Sequence, residues 1–391
     1  MLFSSCSDSD SSLLKKENLF SLRYGRMDDQ LDMSSRKSAS ITFPALIKMA
    51  NGIIYIMNGN LLKIMKFTSY GDLLAVLGKK DRNSEPVLVE EDVHENERVN
   101  RKAVFFPFNN IEEFAVDQRQ YIIVSDLLPP ERREWDEKSG ALLSNIIYRF
   151  DNNCNFIDFL GQDGKGGMPF PYIKNIITNA DNDVIAVTLS NLKKIVYWFN
   201  SKGELLYKIE LDNNSIPLPS GESSYNASID TIKAPESGHL LYIKTDYYEK
   251  NINEATGTQN DIDFYKSYIN VLDIQSGRYT KMIEIPDVYT SPDLQSNIME
   301  KRLQVLYKFL DIIDNKYIYL SSIINNKTMQ ILILETDGSV AGQTRINIDF
   351  ESYYHIDIDL SSKGILTALL AGDTETNIAW WRSDLLLREN K

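Results

Sequence analysis

Phe67-Thr68-Ser69-Tyr70-Gly71-Asp72-Leu73-Leu74 and Phe199-Asn200-Ser201-Lys202-Gly203-Glu204-Leu205-Leu206 share one spacing: an aromatic residue, a glycine four positions on, an acid, then two leucines. Phe150-Asp151-Asn152-Asn153-Cys154-Asn155-Phe156-Ile157 keeps the spacing with a cysteine in the glycine slot. Leu334 to Val340 is a fourth copy around Gly338, and Ile274 to Tyr279 a shortened fifth around Gly277. Each reads as a strand, a tight turn whose glycine tolerates positive φ, and a returning strand. Working outward, a Phe-Pro pair precedes three copies, at Phe43-Pro44, Phe106-Pro107 and Phe170-Pro171. Between pair and turn lies a β-rich run such as Gly52-Ile53-Ile54-Tyr55-Ile56, Tyr121-Ile122-Ile123-Val124 or Val184-Ile185-Ala186-Val187. Proline at a strand start removes no ladder hydrogen bond, which suits the entry to a sheet.

Four short antiparallel strands, recurring every 40 to 50 residues or more, are the sequence mark of a β-propeller. The repeats place blade cores near 44–78, 107–161, 171–210, 228–286, 305–348 and 353–387, so the expected ring has six blades. The last copy supplies Ile356–Ile358, Ile365–Leu370 and Ile378–Trp381 with no full outer strand after it. The segment 19–25 is expected to complete that blade, which would remove two exposed sheet edges at once. Residues 19–391 then form one all-β domain, and 1–18 a leader and tether. Insertions are expected as surface loops at 79–104, 128–145, 212–227, 247–264 and 288–303. The mixed charge run 131–138 around Trp135 reads as a solvated loop or short surface helix. Ser291-Pro292-Asp293 reads as the start of a capped helix.

The 391 residues hold 42 Lys+Arg against 55 Asp+Glu, a net charge of −13, with 43% hydrophobic residues. That apolar content supports a large core and rules out wholesale disorder. The acidic balance argues against a nucleic-acid partner, because such affinity rests on cations neutralising phosphates. Two cysteines and three histidines leave no disulfide framework and little for a metal site. No cofactor is called for. Near the N-terminus, Leu2-Phe3-Ser4-Ser5-Cys6 followed by a Ser/Asp run looks like a truncated bacterial lipobox, with Cys6 as the acylated residue. Nowhere does an apolar run approach the ~18 residues of a membrane helix, so any membrane attachment would be through that lipid. The chain is therefore expected outside the cytoplasm.

Candidate chemistry is sparse. Gln162-Asp163-Gly164-Lys165-Gly166-Gly167 lacks the phosphate-loop spacing and the helix that should follow. Asp181-Asn182-Asp183 begins like a calcium loop but continues as a strand, so a hairpin turn is expected. Asp357 and Asp359 share one strand face; on an inner strand they would line a channel, and ordinary surface is the favoured reading. His94, His239 and His355 have no metal-ligand spacing. Cys154 is read as incidental. A metal-dependent hydrolase or lactonase with a cage of Glu, Asn and Asp in the channel is the alternative function, and its ligands would come from different blades. The first candidates for a binding surface are Trp380, Trp381, Arg382, Tyr247 and Tyr248, residue types that dominate interaction hot spots. Blade-to-blade core and its polar rim is the favoured role for these residues, with one tryptophan of the Trp380-Trp381 pair packing between blades and its neighbour facing the other side. The expected partner is a protein or glycan, and the expected state a monomer.

The repeat resembles the NHL repeat, most closely from Gly164-Lys165-Gly166-Gly167-Met168-Pro169-Phe170-Pro171 through Lys208-Ile209. Residues 19–78, 106–210 and Trp380-Trp381 resemble a family of spirochaetal lipoproteins built on an NHL-type propeller. Phe3 in the lipobox and Cys154 in the turn slot depart from that pattern. The resemblance implies fold and location, and no catalytic residue carries over from it.

Overall fold

A computed structural model of the chain describes residues 13–33, 45–83, 102–137, 139–191, 193–219, 225–252, 259–290 and 303–387. They form a ring of six antiparallel blades. In blade 1 the strands run Ala45–Ala50, Ile53–Asn58, Lys63–Phe67 and Leu73–Gly78 from the channel outward, and Lys102–Phe105 adds a parallel fifth strand. Blades 2 to 5 repeat the order with inner strands Ile111–Val116, Tyr172–Thr178, Tyr225–Lys233 and Lys308–Ile313. Blade 6 holds His355–Leu360, Leu366–Ala371 and Glu375–Trp381, and takes its outer strand, Glu17–Arg23, from the other end of the chain. The expected closure is observed two residues earlier in the chain than the sequence suggests.

Alternation within each strand explains why the blades stack. Ile54 and Ile56 face blade 6, while Tyr55 and Met57 face blade 2, because successive side chains leave opposite faces of a strand. The buried apolar residues of the ring fall into clusters that each join one blade to the next. Both faces of every blade are therefore core, and the polar positions are pushed to the channel, the rim and the connections.

The repeated turn follows the sequence reading. Gly71 and Gly203 have φ of 91° and 83°, and Cys154 takes the same left-handed conformation at 62°. At Gly203 a Cβ would lie 2.7 Å from the Arg149 guanidinium, which reaches over from blade 2 to the carbonyls of Ser201 and Lys202. Arg149 is itself held by both oxygens of Asp158 at 2.7 Å. Asn182 supplies the left-handed residue of the expected hairpin turn, and Asp183 accepts the indole N–H of Trp198 at 2.9 Å.

Two insertions are not loops. The second and third strands of blade 4, Leu240–Ile252 and Gln259–Asp273, continue past the ring as a long two-stranded ribbon through most of 247–264. The charge run 131–138 opens in a short 3-10 turn, Pro130–Arg132, as a surface helix was expected there, and then continues as a strand, Glu134–Asp136, paired with Ala141–Leu143. Trp135 and its cross-strand neighbour Leu142 are 65% and 44% exposed there. Cys6, Phe43-Pro44 and the segment opening at Ser291 lie outside the described residues.

The two faces of the ring differ in kind. Because each blade is an antiparallel meander, inner-to-second and third-to-outer connections share one face. They are short, at 51–52, 117–121, 179–183, 234–239, 314–316 and 361–365, and at 68–72, 151–155, 200–204, 274–277 and 336–339. The opposite face, where the inner strands begin, carries the blade 4 ribbon and the 134–143 hairpin.

Candidate functional site

The channel is the one place where all six blades converge, and its lining is polar. Four inner strands carry a register shift, between Ile111 and Phe114, Ile173 and Asn175, Ile229 and Thr231, and Phe309 and Asp311. A bulge of this kind leaves extra residues out of the ladder and re-aims them. Here the residues passed over include Glu112, Glu113, Lys174 and Asp230.

At the junction that closes the ring, blade 6 grips the free inner edge of blade 1. Asp357 accepts the Ile47 N–H at 2.8 Å, and Asp359 accepts the Met49 N–H and the Lys48 ammonium, both at 3.0 Å. His355, two residues earlier on the same face, sits 2.7 Å from the Ala45 carbonyl. Asp357 and Asp359 thus line the channel, contrary to the surface role favoured from sequence. An inner strand presents polar residues to a wet channel with the same alternation that an exposed strand presents to solvent.

Burial opposes the charge on Lys48, yet Asp359, Glu113 and Asp357 together hold its ammonium above the usual range. Glu113 lines the channel cavity, and burial, with Asp357 and Asp359 adding to it, pushes its carboxyl up to about 7 against the pull of Lys48 and Lys233. In the unfolded chain this group titrates near its ordinary 4.5. Folding therefore takes up a proton between these values, and the ring loses stability as pH rises through that window. Glu113→Gln is expected to stabilise the protein at pH 8 by about 1–2 kcal/mol and to change little at pH 4.5. Denaturant midpoints at the two pH values read this; an equal shift at both would mean that Glu113 carries no such penalty.

The five sequence candidates are not brought together. Trp381 and Tyr247 have no exposed surface. Trp381 packs between blades 5 and 6, and Tyr247 between blades 3 and 4, its hydroxyl donating to the Pro217 carbonyl at 2.6 Å. These two are packing residues and offer no face to a partner. Trp380 faces the junction of blades 6 and 1 and donates its indole N–H to Glu17 at 2.9 Å. Arg382 is paired with Asp384 at 2.7 Å. Tyr248 lies on the ribbon against Phe264, with ring centroids 5.9 Å apart. The tryptophans end a strand at the short-turn face, whereas Tyr248 lies toward the opposite face of the ring, between Asn226 and Phe264 on its neighbouring strands. Sequence reasoning missed Lys174, Lys194, Glu113 and Asp230, which carry no motif and meet only through the bulges.

Among the described residues no set of three or more His, Cys, Asp or Glu side chains is placed to hold a metal ion together. Cys154 is buried, which pushes its thiol up to about 11 and away from thiolate chemistry. Among the described residues no helix is long and apolar enough to cross a membrane.

No family model matches the chain, and no curated protein matches it. Solved structures with a similar course include a putative exported protein of Bacteroides fragilis (12% identity over 96% of both chains, TM-score 0.41). A streptogramin B lyase matches at 11% identity over 94% of this chain and 97% of its own, with a TM-score of 0.37. The Dos1 propeller matches at 10% identity over 90% of this chain and 69% of its own, with a TM-score of 0.36.

Proposed function

We propose that this propeller is a non-catalytic binding or scaffolding module, tethered outside the cytoplasm by a lipid on Cys6, whose loop-bearing face receives a protein or glycan partner. The asymmetry of the two faces carries the reading: one is trimmed to tight turns, and the other bears every projecting element of the described ring. Six packed blade junctions hold those projections in place, so a partner docks with little ordering cost. Trp135, exposed on the 134–143 hairpin among Arg132, Arg133, Glu131 and Glu134, is the first anchor to test, since tryptophan and arginine dominate hot spots. The lipobox-like sequence and the resemblance to NHL-type spirochaetal lipoproteins support the tether and the location.

The test uses the full chain in native envelopes, with a photo-crosslinking residue at Trp135 or, on the short-turn face, at Lys202. One discrete adduct from the Trp135 site and none from Lys202, with Cys6→Ser moving the protein out of the membrane fraction, is the expected result. No adduct from the loop-bearing face, together with Ca²⁺, Zn²⁺ or Mn²⁺ raising Tm and supporting lactone hydrolysis, would replace this reading by the hydrolase.

A further inference from the structure

The loop-bearing mouth of the channel encloses a cavity of about 200 Å³ lined by Lys174, Lys194 and Lys308 together with Glu113, Asp230 and Asp357. The acids there are largely committed. The Asp230 carboxylate lies 3.1 Å from Lys244, whose ammonium also meets Asp246 at 2.7 Å. Asp357 is occupied by the Ile47 N–H, and Asp359, at the same cavity, by Lys48. Glu113, pushed up to about 7, carries only part of a charge at neutrality.

The lysines are not matched in the same way. Lys174 and Lys194 make no close ion pair with a described carboxylate; Asp230 acts on both only at longer range, and Asp246 likewise on Lys194. Both ammonium groups instead converge on one backbone carbonyl. Lys174 donates to the Asp230 oxygen at 2.8 Å, and Lys194 donates to it at 3.1 Å and also to the Ile229 carbonyl. The bulge between Ile229 and Thr231 explains this convergence: it takes Asp230 out of the ladder and frees its carbonyl for blade 3. A carbonyl dipole satisfies a donor but cancels no charge, and each ammonium has three N–H groups to place.

We propose that Lys174 and Lys194 are the anion-binding element of a small-molecule site at the channel mouth, taking a carboxylate or phosphate group. Lys308, exposed at the rim, adds positive potential on the approach. Burial pulls Lys194 down to about 8, with Lys174 adding to it against the pull of Asp230 and Asp246, and an anion in the cavity would offset part of that cost. This site is separate from docking on the projecting elements and stands or falls independently of it.

Titration of the full chain with inorganic phosphate and with citrate, at constant ionic strength against chloride, tests the site by calorimetry and by Tm. At least one of the two anions should bind and raise Tm, and which one does so separates phosphate from carboxylate recognition. Lys194→Met and Lys174→Met should each weaken that binding about tenfold or more, and Lys281→Met, on the outer strand of blade 4, should leave it unchanged. Absence of binding by both anions, or equal binding by all three variants, overturns the proposal. Lys174 is exposed, so Lys174→Met decides the matter even if Lys194→Met fails to fold.

Discussion

Deleting residues 13–25 from the full chain should open the ring and cost most of its stability. This segment is the outer strand of blade 6, pairing residue by residue from Glu17↔Trp380 to Arg23↔Glu375. Leu22 is buried, and Leu19 and Phe20 pack into the junction between blades 6 and 1, with Phe20 5.2 Å from Phe67 across it. At about 1.5–3 kcal/mol for a fully buried large apolar side chain, these three contribute roughly 4–7 kcal/mol. A typical domain has only about 5–15 kcal/mol in total. The deletion also leaves Glu375–Trp381 as a bare edge, ready to pair with another chain. The expected readout is loss of a cooperative thermal transition, with soluble oligomers or precipitate. A synthetic peptide of residues 13–25 should restore the transition by adding back the strand. A truncated chain that melts within about 3 °C of the intact one would show that closure lies elsewhere.

The second large effect separates two tryptophans that look alike in burial. Trp198 and Trp381 are both fully enclosed, and replacing either by alanine should cost about 3–5 kcal/mol. Phenylalanine should distinguish them. The Trp198 indole donates to Asp183, which also meets the Asn179 side-chain amide at 3.2 Å. Trp198→Phe removes one donor from a buried carboxylate, a loss of about 1–3 kcal/mol. The Trp381 indole nitrogen has no hydrogen-bond partner among the described residues. Trp381→Phe therefore removes an unsatisfied donor along with volume, and should cost less than about 1.5 kcal/mol. Urea unfolding of the four variants checks the order. Equal losses for the two phenylalanine variants would mean that the Asp183 contact contributes nothing net.

Most of the ring could be read in advance because its signal is local. The turn spacing of Phe67 to Leu74 recurs with enough fidelity that a cysteine at 154 adopts the glycine's left-handed backbone. The closing strand was legible because the last repeat lacks a fourth strand and the N-terminal segment has the right pattern. The blade 4 ribbon was not, because its sequence shows no sustained apolar alternation to mark it as strand. Asn251, Asp261 and Asp263 there look like loop residues, and cross-strand pairing alone makes them strands. The channel failed to register for a different reason. Lys194 lies on the third strand of blade 3, and its acceptor belongs to a bulge on the inner strand of blade 4; nothing in either local sequence announces the other. Trp381 and Tyr247 were legible as blade-to-blade packing, the role their burial bears out, because an aromatic residue on a propeller strand meets a neighbouring blade on either face.

Closure by the first strand also sets a timetable for biosynthesis. Glu17 and its partner Trp380 are 363 residues apart, so at about 5–20 residues per second the opening strand waits roughly 20–70 s for the strand that completes its blade. Blades 1 to 5 can each form by local hairpin pairing during that interval, but the apolar face carrying Phe20 and Leu22 has no lasting partner until synthesis is nearly finished. The vulnerable species is thus a nearly complete chain with an unlatched ring. A chaperone that shields the first two dozen residues would protect it at the moment of greatest risk.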